Sequence, residues 1–175
     1  MRSPNKIERQ HPLLDVVKGN PRDATEMTRS MSSHDAVLSC LGVRPPQAFR
    51  PHTLVQECAS STVAAMKTAG VERLVMVSAA VLFPHKGLTF EFFRRLLKYI
   101  ADDLRNAEAI IRTSSLKWTI ARPPRLTNSS DPSYRTCVGG LPKSASSMSF
   151  RAVARFMLDA VEHHSYIQEI VGLAR

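Results

Sequence analysis

The sequence lacks several features that would each indicate a class of protein. It contains no run of the roughly 18 apolar residues that a membrane helix needs, and its polar start has no apolar signal segment. Its three cysteines, Cys40, Cys58 and Cys137, are too few and too widely spaced to indicate a disulfide framework or a CxxC metal site. The six histidines show no ligand spacing, so no metal site is predicted. We expect no membrane association and a cytoplasmic address.

The composition predicts a single domain over residues 1–175. At 43% hydrophobic residues, the chain can bury a sizeable core. Its net charge of +9 is spread from Arg2 to Arg175, and the densest basic cluster, around Arg94 and Arg95, has acidic neighbours. Nucleic-acid binding usually needs a concentrated basic face. We therefore expect a small-molecule partner and no nucleic acid, while the oligomeric state stays open.

Strands and helices alternate along the predicted chain. The predicted strands are Leu13 to Lys18, Ala36 to Leu41, Arg73 to Val77, Lys117 to Ala121 and Tyr166 to Leu173. The predicted helices are Ala24 to Met31, Leu54 to Ala69, Phe90 to Arg112 and Phe150 to Glu162, the last with Ser149 as N-cap. Residues 127–148, rich in Ser, Gly and Pro, predict a long functional loop. This order predicts an α/β fold with a mostly parallel sheet covered on both faces.

A serine follows the most strand-like segment. Arg73 to Val77 is a short run rich in Val and Leu, typical of a buried parallel strand, and Ser78 comes directly after it. Open α/β sheets bind ligands at the carboxyl ends of their strands. Ser78 is therefore the first candidate for a functional residue.

Five segments carry a resemblance to a known family. They are DAVLSCLG (35–42), TVAAMKTAGVERLVMVSA (62–79), the pair Ala107-Glu108, SSLKWTIARPPRL (114–126) and MSFRAVARFMLDAVE (148–162). In this order they resemble the atypical short-chain dehydrogenase/reductases, and within them the NmrA-like group that includes flavin reductases of the biliverdin reductase B type. The resemblance implies a Rossmann-type, doubly wound parallel sheet and an NADP(H) cofactor, and leaves the substrate open.

One family feature is missing from the sequence. The family begins with a strand and a glycine-rich turn that holds the pyrophosphate, whereas the seven glycines here form no GxxGxxG run. Met1 aligns near the end of the family's second strand, so we expect an N-terminally incomplete domain without its first βα unit of about 30 residues. The chain is either a shortened version of a longer protein, which we favour, or a short product that rearranges, pairs with another chain or is poorly stable.

The resemblance assigns cofactor contacts to the first part of the chain. Arg2, with Ser3, aligns with the basic position that binds the ribose 2′-phosphate, although a terminal charge without function would explain Arg2 equally well. Arg44 is the next candidate for that contact. Asn20 stands where the family usually has an aspartate beside the adenine, and its amide can still form hydrogen bonds.

Further cofactor contacts are implied at two strand ends. Leu41, Gly42 and Val43 match the loop that passes under the cofactor, where a glycine allows close approach, although a plain turn glycine would give the same sequence. The paired prolines Pro123 and Pro124 are also kept at the family's cofactor position.

The usual catalytic tyrosine and lysine of the superfamily are not found. Ser78 matches the catalytic serine, but alignment on Glu108 puts Ile100 at the tyrosine position and Leu104 at the lysine position. Tyr99 is one residue away, and since a helix turns about 100° per residue, we expect it to point elsewhere. The tyrosine-base mechanism is therefore not assigned.

The resemblance implies a reductase that transfers hydride from NADPH to a flavin-like or other conjugated, planar substrate. Arg125 replaces a histidine that the group often has there, and it could bind a carboxylate or phosphate of the substrate or be a surface cation. We expect Arg122 to brace its loop and Trp118 to lie in the core. The alternative is a non-catalytic NAD(P)-sensing or interaction protein of the NmrA-like type, which only turnover distinguishes.

Overall fold

The computed structural model describes residues 7, 10–43, 47–84 and 96–175. It contains four α-helices in these ranges, α1 (Ala24–Met31), α2 (Leu54–Ala69), α3 (Lys98–Arg112) and α4 (Phe150–Glu162). Seven short strands accompany them: β1 (Ala36–Ser39), β2 (Arg73–Val77), β3 (Lys117–Arg122), β4 (Arg125–Thr127), β5 (Arg135–Val138), β6 (Ser147–Ser149) and β7 (Glu169–Ala174). None of the described helices is long and apolar enough to cross a membrane.

The main sheet has five strands in the order β1-β2-β3-β7-β5. The first four strands run parallel, with Leu38 opposite Val75 and Met76 opposite Ile120, and β5 joins antiparallel to β7. A second, small parallel sheet pairs β4 with β6. These pairings confirm the predicted α/β fold with a mostly parallel sheet.

The side chains of β2 divide the core into two layers. Leu74 and Met76 pack into a cluster with the buried faces of α2 and α3, whereas Val75 packs with Phe156 and Met157 of α4. Because side chains alternate along a strand, one apolar strand fills both layers. Trp118 is 7% exposed in the first cluster, which confirms its predicted place in the core.

Three helices begin or end at a residue whose cap is formed by its neighbours in sequence. Asp23 accepts the amides of Thr25 and Glu26 at the start of α1, and Ser149 accepts the amide of Ala152 at the start of α4. Helix α2 ends at Gly70, whose φ of 74° is the left-handed conformation that glycine adopts at low cost. The predicted bounds of these three helices are confirmed. The predicted helix from Phe90 is described only as Lys98–Arg112, since residues 85–95 lie outside the described ranges.

Two predictions along the chain are wrong. Residues 13–18 form no strand, and Leu13 is 91% exposed, because no described strand lies beside β1 at the outer edge of the sheet to pair with this segment. The predicted loop 127–148 contains the strand β5 and ends within β6, and it turns at Gly139, whose φ is 71°. Strands of three or four residues are too short to show the alternation of apolar and polar residues by which a strand is recognised in a sequence.

The last strand begins three residues later than predicted. Tyr166 and Gln168 have φ values of 56° and 59°, which no β-strand accommodates, so β7 starts at Glu169. Further along β7, a Cβ on Gly172 would lie 1.8 Å from the carbonyl oxygen of Gly140. The turn after β5 therefore packs directly on the backbone of β7 and needs glycine at position 172.

Candidate functional site

A cleft of about 530 Å³ lies at the carboxyl ends of β1 and β2. Its walls come from the start of α2 and from α3 and α4, and are mostly apolar, including Leu38, Val77, Ile100, Leu104, Val153 and Met157. The polar side chains among its described lining residues include His52, Ser78 and Asp103, but no lysine or arginine. Such a cleft suits an uncharged, apolar ligand that a few polar groups orient.

Ser78 lies in this cleft and is held by two hydrogen bonds. Its amide donates to the carbonyl oxygen of Ala121 at 2.7 Å, which continues the pairing of β2 with β3 past the end of β2. Its hydroxyl donates to Oε1 of Glu108 at 2.6 Å, and the residue is 8% exposed. Because Glu108 takes the hydroxyl hydrogen, Ser78 can offer a ligand only the lone pairs of Oγ.

Glu108 also binds Arg122 in a buried ion pair. Nε of Arg122 donates to Oε1 at 3.0 Å and one terminal nitrogen donates to Oε2 at 2.6 Å, a bidentate arrangement. The guanidinium also lies 4.7 Å from the ring centroid of Phe83, in the segment that follows Ser78. Arg122 therefore contacts the segment that follows Ser78 rather than the loop that follows its own strand. Sequence reasoning missed the role of Glu108, which a carboxylate on the buried face of an amphipathic helix could have indicated.

The loop after β1 forms part of the same cleft. Leu41, Gly42 and Val43 line it together with Ser78 and Ala79. No described heavy atom lies within 4 Å of the position that a Cβ of Gly42 would take, so the space above this glycine is open. The structure thus brings four of the predicted site residues together at one edge of the sheet.

A second cleft of about 600 Å³ adjoins the first. The two share Leu38, Cys40 and Leu41, and the second is also lined by Asn20, Lys18 and Arg29. Oδ1 of Asn20 accepts the amide of Arg22 at 3.2 Å, so part of its hydrogen-bonding capacity is used within its own turn. A groove therefore runs past the end of β1, with one apolar end and one end that carries Lys18, Arg29 and the carboxylate of Glu26.

Three predicted site residues that follow β3 lie outside both clefts: Pro123, Pro124 and Arg125. Pro123 is buried and its carbonyl oxygen accepts the amide of Ala80 at 2.9 Å, while Pro124 is half-buried. Arg125 is exposed on β4, and its neighbour Leu126 lines the first cleft. The assigned roles of these three residues stay predictions. Arg2, Ser3 and Arg44 lie outside the described residues.

Helix α3 presents apolar side chains where the superfamily has its tyrosine and lysine. Ile100 and Leu104 both line the cleft, whereas Tyr99 is 38% exposed and does not. This confirms the prediction that Tyr99 points elsewhere. No tyrosine or lysine of the described chain lines the cleft, so none of the described residues can perform the tyrosine-base mechanism there.

A histidine and an aspartate that the sequence reasoning did not pair meet in the wall of the cleft. Nδ1 of His52 lies 2.8 Å from Oδ2 of Asp103, and the two side chains are 13% and 0% exposed. Asp103 also accepts the amides of Val55 and Gln56, each at 2.9 Å, in the first turn of α2. The only signal in the sequence was an acidic residue at an inward-facing position of α3, between Ile100 and Leu104.

Comparison with known proteins agrees with this architecture. The chain is similar to a Rossmann-fold NAD(P)-binding family protein from Shigella flexneri, at 23% identity and a TM-score of 0.77 over 99% of this chain and 77% of that one. It is also similar to an oxidoreductase from Lactococcus lactis (17%, 0.80, 100% and 77%). A short-chain dehydrogenase/reductase from Veillonella parvula in complex with NADP is a third similar structure (20%, 0.76, 98% and 76%).

These similarities show that the fold is of the Rossmann type. The sequence itself matches a family described as NAD(P)H-binding over residues 1–164, which is most of its length. The chain therefore belongs to the NAD(P)H-binding family.

Proposed function

We propose that this chain is an NADPH-dependent reductase whose substrate is a planar, conjugated small molecule of the flavin type. The observation that carries the proposal is the apolar cleft at the carboxyl edge of a parallel sheet, where Ser78 lies beside the loop Leu41 to Val43. Ligands of open α/β folds bind at this edge. Membership of the NAD(P)H-binding family supports a nicotinamide cofactor in the same place.

The groove past β1 fits the two ends of a dinucleotide. Leu41, Gly42 and Val43 would lie against the nicotinamide half, with the open space above Gly42 to receive it. Asn20, Lys18 and Arg29 would lie near the adenosine half, where a cation favours the 2′-phosphate of NADP. The similar Veillonella protein, in complex with NADP, supports this choice of cofactor. When bound, the cofactor supplies a hydride.

The lining of the cleft supports an uncharged substrate body. No lysine or arginine lines it among the described residues, so an anionic group would be desolvated there without a partner. Arg125 is exposed on β4 outside the cleft, next to the lining residue Leu126. We propose that the conjugated rings enter the cleft and that an anionic tail, where the substrate has one, reaches Arg125.

The second candidate is a protein that senses the NADP(H) redox state without catalysis. It is favoured by one observation, the apolar Ile100 and Leu104 at the positions of the superfamily's catalytic pair. A sensor would bind NADPH and NADP⁺ and pass no electrons to a substrate.

Turnover tests both candidates. The full chain is mixed with NADPH and with riboflavin, FMN or a quinone, and the loss of NADPH absorbance is followed with and without protein. The reductase predicts consumption of NADPH that depends on protein and substrate. Saturable NADPH binding without consumption, across these conjugated acceptors, would favour the sensor and contradict the reductase.

A further inference from the structure

In the pair formed by His52 and Asp103, one nitrogen has no hydrogen-bond partner among the described residues. Asp103 accepts three hydrogen bonds, from the amides of Val55 and Gln56 and from Nδ1 of His52. Nε2 of His52 is buried and has no hydrogen-bond partner in the described parts of the chain. A buried polar atom without a partner is unfavourable, so a ligand group that reaches Nε2 gains more than it would at a solvated atom.

The partners of Asp103 decide which ring nitrogen carries the exchangeable proton. An ionised carboxylate only accepts, so Nδ1 of His52 must donate to Oδ2, and this bond fixes the ring. Nε2 is then either a bare lone pair or, when the ring is protonated, an N–H donor. A histidine oriented in this way by a carboxylate can exchange a proton at one defined atom.

His52 lies in the wall of the cleft, and because Nε2 itself has almost no accessible surface, a ligand reaches this atom only when neighbouring side chains shift. His52, Asp103 and Ser78 all line the cleft, and the two α3 residues that replace the superfamily's tyrosine and lysine lie on either side of Asp103 in sequence. The described lining therefore lacks the usual proton donor. The imidazole of His52 is the group in this lining that can take the role, since Ser78 donates its hydrogen to Glu108.

We propose that His52 is a catalytic residue of this cleft: its Nε2 forms a hydrogen bond with the heteroatom of the substrate's polarised double bond and gives that atom its proton. The inference rests on the proposed reductase function. It also narrows the substrate to molecules whose conjugated system ends in a ring carbonyl or an imine nitrogen, because Nε2 needs such an acceptor for its proton.

The proton balance of this step is simple. Addition of hydride to one end of the conjugated system, N5 in a flavin, leaves an electron pair on a heteroatom at its other end, N1 in a flavin. The Nε2–H bond of the protonated His52 breaks, a heteroatom–H bond forms, and the imidazole is left neutral. Water returns the proton to Nε2 before the next turnover, while Asp103 keeps the Nδ1 hydrogen bond throughout.

Two substitutions separate this role from a structural one. In His52→Asn the amide nitrogen takes the place of Nδ1 and keeps the bond to Asp103, but no atom reaches the position of Nε2. In His52→Gln the amide lies near the position of Nε2 and can form a hydrogen bond, but it cannot transfer a proton. His34→Gln, on an exposed histidine outside both clefts, is the control.

The first measurement is binding, followed by NMR of the imidazole signals of the full chain during titration with riboflavin. We expect the His52 signals, assigned by their loss in His52→Asn, to shift on saturation, while the His34 signals stay in place. No shift of the His52 signals with saturable riboflavin binding would overturn the proposal, whatever the turnover shows.

The second measurement is the kinetics of NADPH-dependent riboflavin reduction. We expect kcat to fall about a hundredfold or more in both His52 variants, with KM raised in His52→Asn and nearly kept in His52→Gln. Wild-type kcat in His52→Asn would overturn the role of His52 and leave the reductase standing. Absence of turnover in the wild-type chain would instead contradict the proposed function. A melting temperature of His52→Asn near that of the wild type would show that its loss of kcat is not due to unfolding.

Discussion

The hydroxyl of Ser78 and the carboxylate of Glu108 are joined by a hydrogen bond of 2.6 Å in the interior of the protein. Glu108 also forms an ion pair with Arg122, whose guanidinium lies over the ring of Phe83. The hydrogen bond between Ser78 and Glu108 therefore links the cleft, through Arg122, to the segment that contains Phe83. Ser78 is therefore both a cleft residue and part of a buried polar network. Replacing it should affect stability as well as ligand binding.

We predict that Ser78→Ala lowers the free energy of unfolding by about 1.5 to 3 kcal/mol, the usual contribution of a hydrogen bond to a charged group. If Oγ also accepts a hydrogen bond from cofactor or substrate, kcat/KM should fall roughly ten- to a hundredfold. Urea unfolding and NADPH-dependent reduction measure the two effects. Thr119→Val is the matched control, since Thr119 is buried away from the cleft and its hydroxyl donates to the carbonyl of Tyr166 at 2.7 Å. Equal losses of turnover in both variants would leave Ser78 a structural role only.

A second prediction concerns the anionic tail of the substrate. If Arg125 binds such a group, Arg125→Ala should raise KM for FMN about tenfold, the effect of one charge-assisted contact of about 1.4 kcal/mol, and leave riboflavin unchanged because it has no phosphate. Arg105→Ala is the control, since Arg105 is exposed on α3 and pairs with Asp102. A rise in KM for both substrates, or for neither, would remove Arg125 from the site.

A third prediction concerns the cofactor. The sequence has no glycine-rich turn for the pyrophosphate, so we expect the 175-residue chain to bind NADPH with a Kd above micromolar, measured by isothermal titration. Arg2→Ala should weaken NADPH binding roughly ten- to a hundredfold and spare NADH if Arg2 contacts the 2′-phosphate. If only Arg29→Ala does so, the contact belongs to the second cleft instead. Micromolar or tighter binding would show that the chain holds the pyrophosphate in another way.

A fourth prediction follows from Tyr134. Burial and the 2.7 Å hydrogen bond to Asp159 raise the pKa of Tyr134 to about 12, from an ordinary value near 10. Between these values the folded protein keeps a proton that the unfolded chain loses, so the free energy of unfolding should fall as the pH rises from about 10 to about 12.

Tyr134→Phe should remove this part of the pH dependence, and denaturant unfolding at several alkaline pH values measures it. The ultraviolet absorbance of tyrosinate, compared between wild type and Tyr134→Phe, reports the titration directly. Tyr99→Phe, at a position that is 38% exposed, controls for the loss of one tyrosine. A Tyr134 that ionises near pH 10 in the folded protein would contradict the prediction.

The parts of the fold that the sequence could predict are those governed by neighbours in sequence. Asp23, Gly70 and Ser149 each cap a helix within three or four residues, and β2 is a continuous apolar run. The failures have non-local causes. Residues 13–18 are mostly apolar but have no described strand beside them, and β5 exists because it pairs with β7, more than 30 residues further along the chain.

In the site, too, the features set by neighbours in sequence could be predicted and those set by distant contacts could not. Ser78 and the loop Leu41 to Val43 could be placed at the cleft because both follow predicted parallel strands. The pairing of His52 with Asp103 joins positions 51 residues apart, and it depends on how the start of α2 packs against α3. The bonds of Glu108 depend on packing in the same way. A local pattern can indicate a buried carboxylate but not its partners, so these contacts needed the three-dimensional structure.

The hydrogen bonds of Asp103 have an evolutionary consequence. This carboxylate holds the first turn of α2 through two amides as well as His52, so a substitution there removes structural support together with any catalytic role. Among the described residues, the side chain of His52 forms a hydrogen bond with Asp103 and with no other group. In a lineage that abandons catalysis, His52 is free to drift while Asp103 stays under selection for folding. Relatives that keep the aspartate but not the histidine would then be the descendants that lost the reaction.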